Sequence, residues 1–168
     1  ARGYLKFNNV DYPIKLKAKG DRDIHRLDLK TMSFKIDIRG EQRLLGMEEF
    51  SLQRPIIRGY TSEKLVADLL KENNIISPRN FYFKLFINGE YFGMRHLEES
   101  FSRELIEANE RRYGPVFSLN ENVGTLFGNT KFEVADLRKW ENKQIYKDSL
   151  TLLENTQQNP TLIKQYFD

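Results

Sequence analysis

The sequence predicts an α+β fold, a hairpin-rich antiparallel sheet with helices packed on it, and three observations predict it. Apolar and polar residues alternate over Tyr4 to Phe7, Tyr12 to Ala18 and Met32 to Ile38, the period of strands with one buried face. Asn8-Asn9 and Asn88-Gly89 stand between such stretches as hairpin turns. From Lys139 to Gln157 the apolar spacing becomes helical.

In order along the chain, the first two strands form a hairpin about Asn8-Asn9. Lys19-Gly20-Asp21-Arg22 then opens a polar loop running to Arg26. The strand Met32 to Ile38 places Met32, Phe34, Ile36 and Ile38 on one face and Lys35 and Asp37 on the other. Ser51 to Arg54 is a short extended segment closed by Pro55. Thr61 or Ser62 caps a helix in which Leu65, Val66, Leu69 and Leu70 recur at helical spacing until Asn73-Asn74. Phe81 to Ile87 and Tyr91 to Leu97 form the second hairpin. Ser100 caps a helix with Leu105 and Ile106 facing inward, and Gly114-Pro115 stops it. Val116 to Leu119 is a short strand, Gly124 to Val134 an extended pair turning at Gly128-Asn129, and Pro160 opens a last short helix. Residues 1–168 read as one domain or most of one.

Composition removes several chemistries. There is no cysteine, so disulfides, thiol nucleophiles and cysteine zinc sites are excluded. With only His25 and His96, so is a histidine-rich metal centre; a metal would need carboxylates, which suits magnesium or manganese held between acidic side chains and phosphates. No apolar run approaches the roughly 20 residues of a membrane span. The beginning, Ala1-Arg2-Gly3-Tyr4, has no signal-peptide core and no Met, and reads as a piece of a longer chain. Basic charge is concentrated from Pro13 to Arg58, with eleven Lys or Arg against seven Asp or Glu, either a solvated surface or a face for phosphates.

Four groups are candidates for chemistry. Lys19 and Gly20 sit at a turn where glycine lets backbone approach an anion, or simply in a surface turn. Lys35 lies mid-strand opposite the apolar stripe, either solvent-facing or able to meet a phosphate. Glu98 and Glu99 are adjacent in a strand and so point to opposite sides, and an inward carboxylate would need a cation. Arg54 and Arg58 flank Pro55 and can supply that cation or hold phosphate oxygens bidentately. Glu63 is a further partner candidate, or an acid favoured by the helix dipole. Tyr82, Phe83, Phe86, Tyr91 and Phe92 suggest a base-stacking sheet, but their pairing about a hairpin favours cross-strand packing, so nucleic acid is not the expected partner.

From Lys19 to Phe117 the order of segments resembles the CotH family, spore coat protein H-like atypical protein kinases. The resemblance rests on a basic glycine turn, Ser33-Phe34-Lys35-Ile36, and Leu52-Gln53-Arg54-Pro55. It continues through Ile87-Asn88-Gly89-Glu90 with Gly93, Glu99 before Phe101-Ser102, and Arg111-Arg112-Tyr113-Gly114-Pro115. It implies the nucleotide-binding half of an atypical kinase fold, using ATP with Mg or Mn to phosphorylate Ser or Thr of a protein substrate, a coat or surface protein by analogy. Lys35, Arg54, Arg58, Glu98, Glu99, Lys19 and Gly20 would then surround the nucleotide. The family's later His-containing loop and metal-site Asp have no counterpart here, so an amino-terminal portion, inactive alone, is expected. The alternative is a non-catalytic coat or surface scaffold with the same fold. An extracytoplasmic setting follows only by analogy.

Overall fold

The computed structural model describes residues 1–19, 30–119, 132–134 and 141–158; Gly20, the turn expected at Gly128-Asn129 and the helix expected after Pro160 lie outside these residues. The chain divides into two compact units, Ala1–Arg112 and Tyr113–Asp168.

The first unit is sheet-dominated α+β. Its strands are β1 (Arg2–Phe7), β2 (Val10–Lys19), β3 (Ser33–Ile38), β4 (Glu49–Gln53), β5 (Asn80–Ile87) and β6 (Glu90–Glu99). They form one antiparallel sheet in the order β1-β2-β3-β4-β6-β5. A 3-10 turn (Pro55–Arg58) and α1 (Ser62–Glu72) connect β4 to β5, and α2 (Arg103–Ala108) follows β6. Both expected hairpins form: Asn8, Asn9, Asn88 and Gly89 all have positive φ, the backbone that a two-residue turn needs to match strand twist.

Alternation sorts the sheet into two faces. Phe34 and Ile36 of β3 pair with Leu52 and Phe50 of β4, Ile38 pairs with Ile14 of β2 and Leu52 with Leu97 of β6, and all are buried, as the sequence pattern requires. Ile14, Leu44 and Met47 complete the cluster, against which Met32, Phe81 and Phe83 pack. The sheet curls around this core until its outer strands meet: the rings of Phe7 in β1 and Phe83 in β5 lie edge to face, 5.5 Å between centroids. In β6, Gly93 at φ 86° marks a bulge opposite Lys84 to Phe86, which keeps Phe92 buried.

The helices depart from expectation. Neither Thr61 nor Ser62 caps α1 through its side chain; the first turn is tied by backbone bonds, and Arg58 holds Glu63 instead. Only Ala67 of α1 is buried, while Leu65, Val66 and Leu69 stay exposed. The cap of α2 is Ser102, not Ser100: its hydroxyl accepts from the Leu105 N–H at 3.4 Å, and Leu105 and Ile106 face inward as expected. This helix ends at Ala108, stopped by Asn109, before reaching Gly114-Pro115.

The second unit contains β7 (Phe117–Leu119) paired antiparallel with β8 (Phe132–Val134), and α3 (Gln144–Gln158). The Phe117 ring stacks on Tyr146 at 5.9 Å.

Candidate functional site

The face of the sheet opposite the core is polar at its centre because β2, β3, β4 and the Glu98 end of β6 place charged or hydrogen-bonding residues at alternate positions. Lys17 lies across from Lys35, Lys35 from Ser51, Ser51 from Glu98, and Gln53 from His96. The 3-10 turn and the start of α1 bring Arg58 and Glu63 over the same face.

The result is a chain of alternating charges. The Lys19 ammonium donates to Ser51 Oγ at 2.8 Å. Glu98 Oε2 accepts from Gln53 Nε2 at 3.0 Å and from Arg58 Nη2. Arg58 Nη1 reaches Glu63 Oε1 at 3.2 Å, and Glu63 Oε2 stands 3.6 Å from Nδ1 of His96. Neither that oxygen nor either ring nitrogen of His96 has a hydrogen-bond partner, although the imidazole is fully buried beneath the ring of Tyr82. Lys35 lies beside this chain and pairs with Glu49 at 2.7 Å, not with the expected Glu63, Glu98 or Glu99. The correction follows from register: Glu49 is two residues from Ser51, which faces Lys35, on the same side of β4.

Desolvation governs the protonation of this cluster. Burial draws the Lys19 ammonium below the usual lysine range, and the nearby charges of Arg58 and Lys35 add to this against the pull of Glu98 and Glu63. Burial, then the neighbouring Glu98, raises the Glu63 carboxyl, with Arg58 opposing. Burial lowers the His96 imidazole, keeping it neutral near pH 7.

Of the predicted residues, Lys19, Lys35, Arg58 and Glu98 share this face, while Gly20 lies outside the described residues. Glu99 turns to the core side of β6. It is buried, and Arg79 holds it through Nη2, through Nε at 2.8 Å and through its backbone N–H at 3.2 Å. The cation that an inward carboxylate demands is therefore Arg79, not Arg54 or Arg58. Arg79 also donates to the carbonyls of Leu45 and Gly46 at 2.8 and 3.1 Å, so Glu99 anchors the β3–β4 turn. Arg54, one position beyond Gln53 in an extended conformation, likewise leaves the polar face.

Sequence reasoning missed His96, Gln53, Ser51 and Arg79. The first three were within reach, since each is two residues from another member of the same face. Arg79 carried no such signal, because it precedes β5 in an irregular segment.

Phosphate oxygens suit this donor set: Lys19 and Lys35 present ammonium groups, Lys17 adds a third cation across from Lys35, and Ser51 offers a hydroxyl. Among the described residues no group of three His, Asp or Glu gathers to hold a metal. A divalent ion would have to bind through phosphates with one or two carboxylates, and Glu63 and Glu98 are the carboxylates of this cluster. A shallow cleft of about 630 Å³, lined by Arg2, Tyr4, Lys15 and Arg39 among others, shares no residue with this cluster. Among the described residues no helix is long and apolar enough to cross a membrane.

No curated protein matches the chain. The profile of the CotH kinase protein family matches residues 16–168, so it spans the polar face from β2 onwards and most of the chain. Family use of nucleotide agrees with the donor set on that face, and the chain belongs to the CotH kinase protein family.

Proposed function

We propose that this chain is the nucleotide-facing part of an ATP-dependent kinase that phosphorylates Ser or Thr of a protein. The observation that supports it most is the union, on one sheet face, of Lys19, Lys35, Arg58, Glu63 and Glu98 in a family whose members use nucleotide. Lys19 and Lys35 hold phosphate oxygens. Glu98 fixes Arg58, and Arg58 in turn fixes Glu63 at the start of α1, so the helix and the sheet present one preorganised set of charges. Mg or Mn, when bound with ATP, would neutralise charge developing between the phosphates. The acceptor is a protein, with a bacterial coat or surface protein as the class the family suggests.

The partners already in place favour a second reading. Lys19, Lys35 and Arg58 each have an acceptor within the protein, as a non-catalytic coat or surface module would require. Thermal unfolding with ATP, with and without Mn, separates the two. The kinase reading expects stabilisation in wild type and its loss in both Lys19→Met and Lys35→Met. A wild-type protein indifferent to ATP leaves the module reading standing.

A further inference from the structure

On the core side of the sheet, two arginines face each other with no acid between them among the described residues. The β4–β6 register runs from Phe50 opposite Glu99 to Gln53 opposite His96. One further step along the extended backbone sets Arg54 opposite Arg95, both on the side away from Lys19 and Lys35. Arg95 is only 2% exposed. Its guanidinium donates to two backbone carbonyls, Lys30 O at 2.7 Å and Met94 O at 3.2 Å, and reaches no carboxylate among the described residues. Its Nε and the Nε of Arg54 are both buried without an acceptor. Burial, then the charge of Arg54, lowers the proton affinity of Arg95.

Like charges directly opposite in a sheet are destabilising, and buried charges are normally paired. The same face provides the contrast: four residues further along β6, the inward Glu99 has Arg79. Tethering the Lys30 carbonyl would explain one donor at this point. It does not explain a second guanidinium beside it.

We infer that Arg54 and Arg95 form a phosphate-binding site on the core side of the sheet, separate from the Lys19–Lys35 face. Two planar forks match a tetrahedral oxyanion bidentately, and a phosphate group, carrying close to two charges near neutral pH, balances both, whereas a carboxylate balances one. Arg54, the less buried of the two, gives the anion its way in. The sheet stands between this pair and the polar cluster, so the site does not depend on the kinase reading. Its ligand is inorganic phosphate or the phosphate end of a nucleotide.

The test is calorimetric titration and thermal unfolding of the whole chain with inorganic phosphate, at ionic strength held constant with chloride. Arg54→Met and Arg95→Met are compared with wild type and with Lys71→Met, a surface control. Phosphate should raise the unfolding temperature of wild type and Lys71→Met, and either arginine variant should bind at least about tenfold more weakly. Without phosphate, Arg54→Met should unfold no earlier than wild type, because it relieves repulsion; a purely structural arginine would make the variant weaker under every condition. Should Arg95→Met fail to fold, Arg54→Met carries the test. An ATP series identifies the source: a shift lost in Arg54→Met but kept in Lys35→Met assigns the nucleotide's phosphate, and the reverse pattern assigns the free ion. A wild type indifferent to phosphate, or an undiminished response in Arg54→Met, overturns the site.

Discussion

Glu98 and Glu99 are consecutive in β6, yet the sheet divides their work. Glu98 binds Arg58 on the polar face, and Glu99 lies buried against Arg79 on the core side. One residue of register thus separates a carboxylate available to the candidate site from one committed to the architecture.

Arg79→Met should therefore be among the more damaging single substitutions in the protein. It strands a buried carboxylate and releases the Leu45-Gly46 turn, at a cost of about 3–5 kcal/mol. Removing both charges, as Arg79→Met with Glu99→Leu, should recover most of that loss. Urea unfolding of the single and double variants measures it, and a loss below about 1 kcal/mol for Arg79→Met, in the range of an exposed pair, would show that the pair is not the anchor described.

Gly46 has φ 81°, and a Cβ there would stand 2.6 Å from Arg79 Nη1. Gly46→Ala should lose about 1–3 kcal/mol from the strained backbone, with the clash added. The two residues touch, so their effects should not add. In an Arg79→Met background the alanine should cost only its backbone share, and full additivity in the double-mutant cycle would contradict the contact.

Acidification should destabilise the fold through His96. Its folded imidazole is held below the ordinary histidine value, so on falling through about pH 6.5 the unfolded chain takes up the proton first and stability drops. Glu63 acts in the opposite sense. Its carboxyl is raised, so the folded state takes up its proton first, and stability is regained as the pH falls toward the ordinary carboxyl value. His96→Leu should flatten the fall in stability below about pH 6.5, and Glu63→Gln should steepen the net acid loss. Chemical denaturation across that range reads both slopes, and an unchanged slope in His96→Leu would remove His96 from the account.

Lys35→Met should separate chemistry from stability. The Lys35–Glu49 pair is substantially exposed, so its removal should change stability by less than about 1 kcal/mol. If the proposed kinase function holds, it should sharply reduce phosphorylation of a protein acceptor, while the melting curve stays close to that of wild type. Near-normal turnover would remove Lys35 from the mechanism.

The sheet was legible in the sequence because period-two alternation and asparagine-rich turns are local signals. Phe34, Ile36 and Ile38 announce a buried stripe, and Asn88-Gly89 a hairpin, without help from distant residues. The candidate site was legible only in part. Lys35, Arg58 and Glu98 share a face, but which acid meets which cation depends on strand order, and β6 inserts between β4 and β5. Hence Lys35 finds Glu49, and Arg79 rather than Arg54 finds Glu99. The helix caps failed for a simpler reason: Ser100 and Ser102 are both good caps, and where β6 ends decides between them.

The meeting of Phe7 with Phe83 gives the curled sheet an unusual thermal character. Its six strands are laced by hydrogen bonds from β1 across to β5, but the closure between those two outer strands is made by rings and not by a ladder. Contacts of that kind lose strength on cooling, whereas a hydrogen-bonded ladder does not depend on the same driving force. The seam should therefore loosen first in the cold, while the remaining sheet stays intact. Amide exchange in β1 and β5 that accelerates toward 0 °C relative to β3 and β4 would register it, and exchange slowing in step across all six strands would show a seam as firm as the rest.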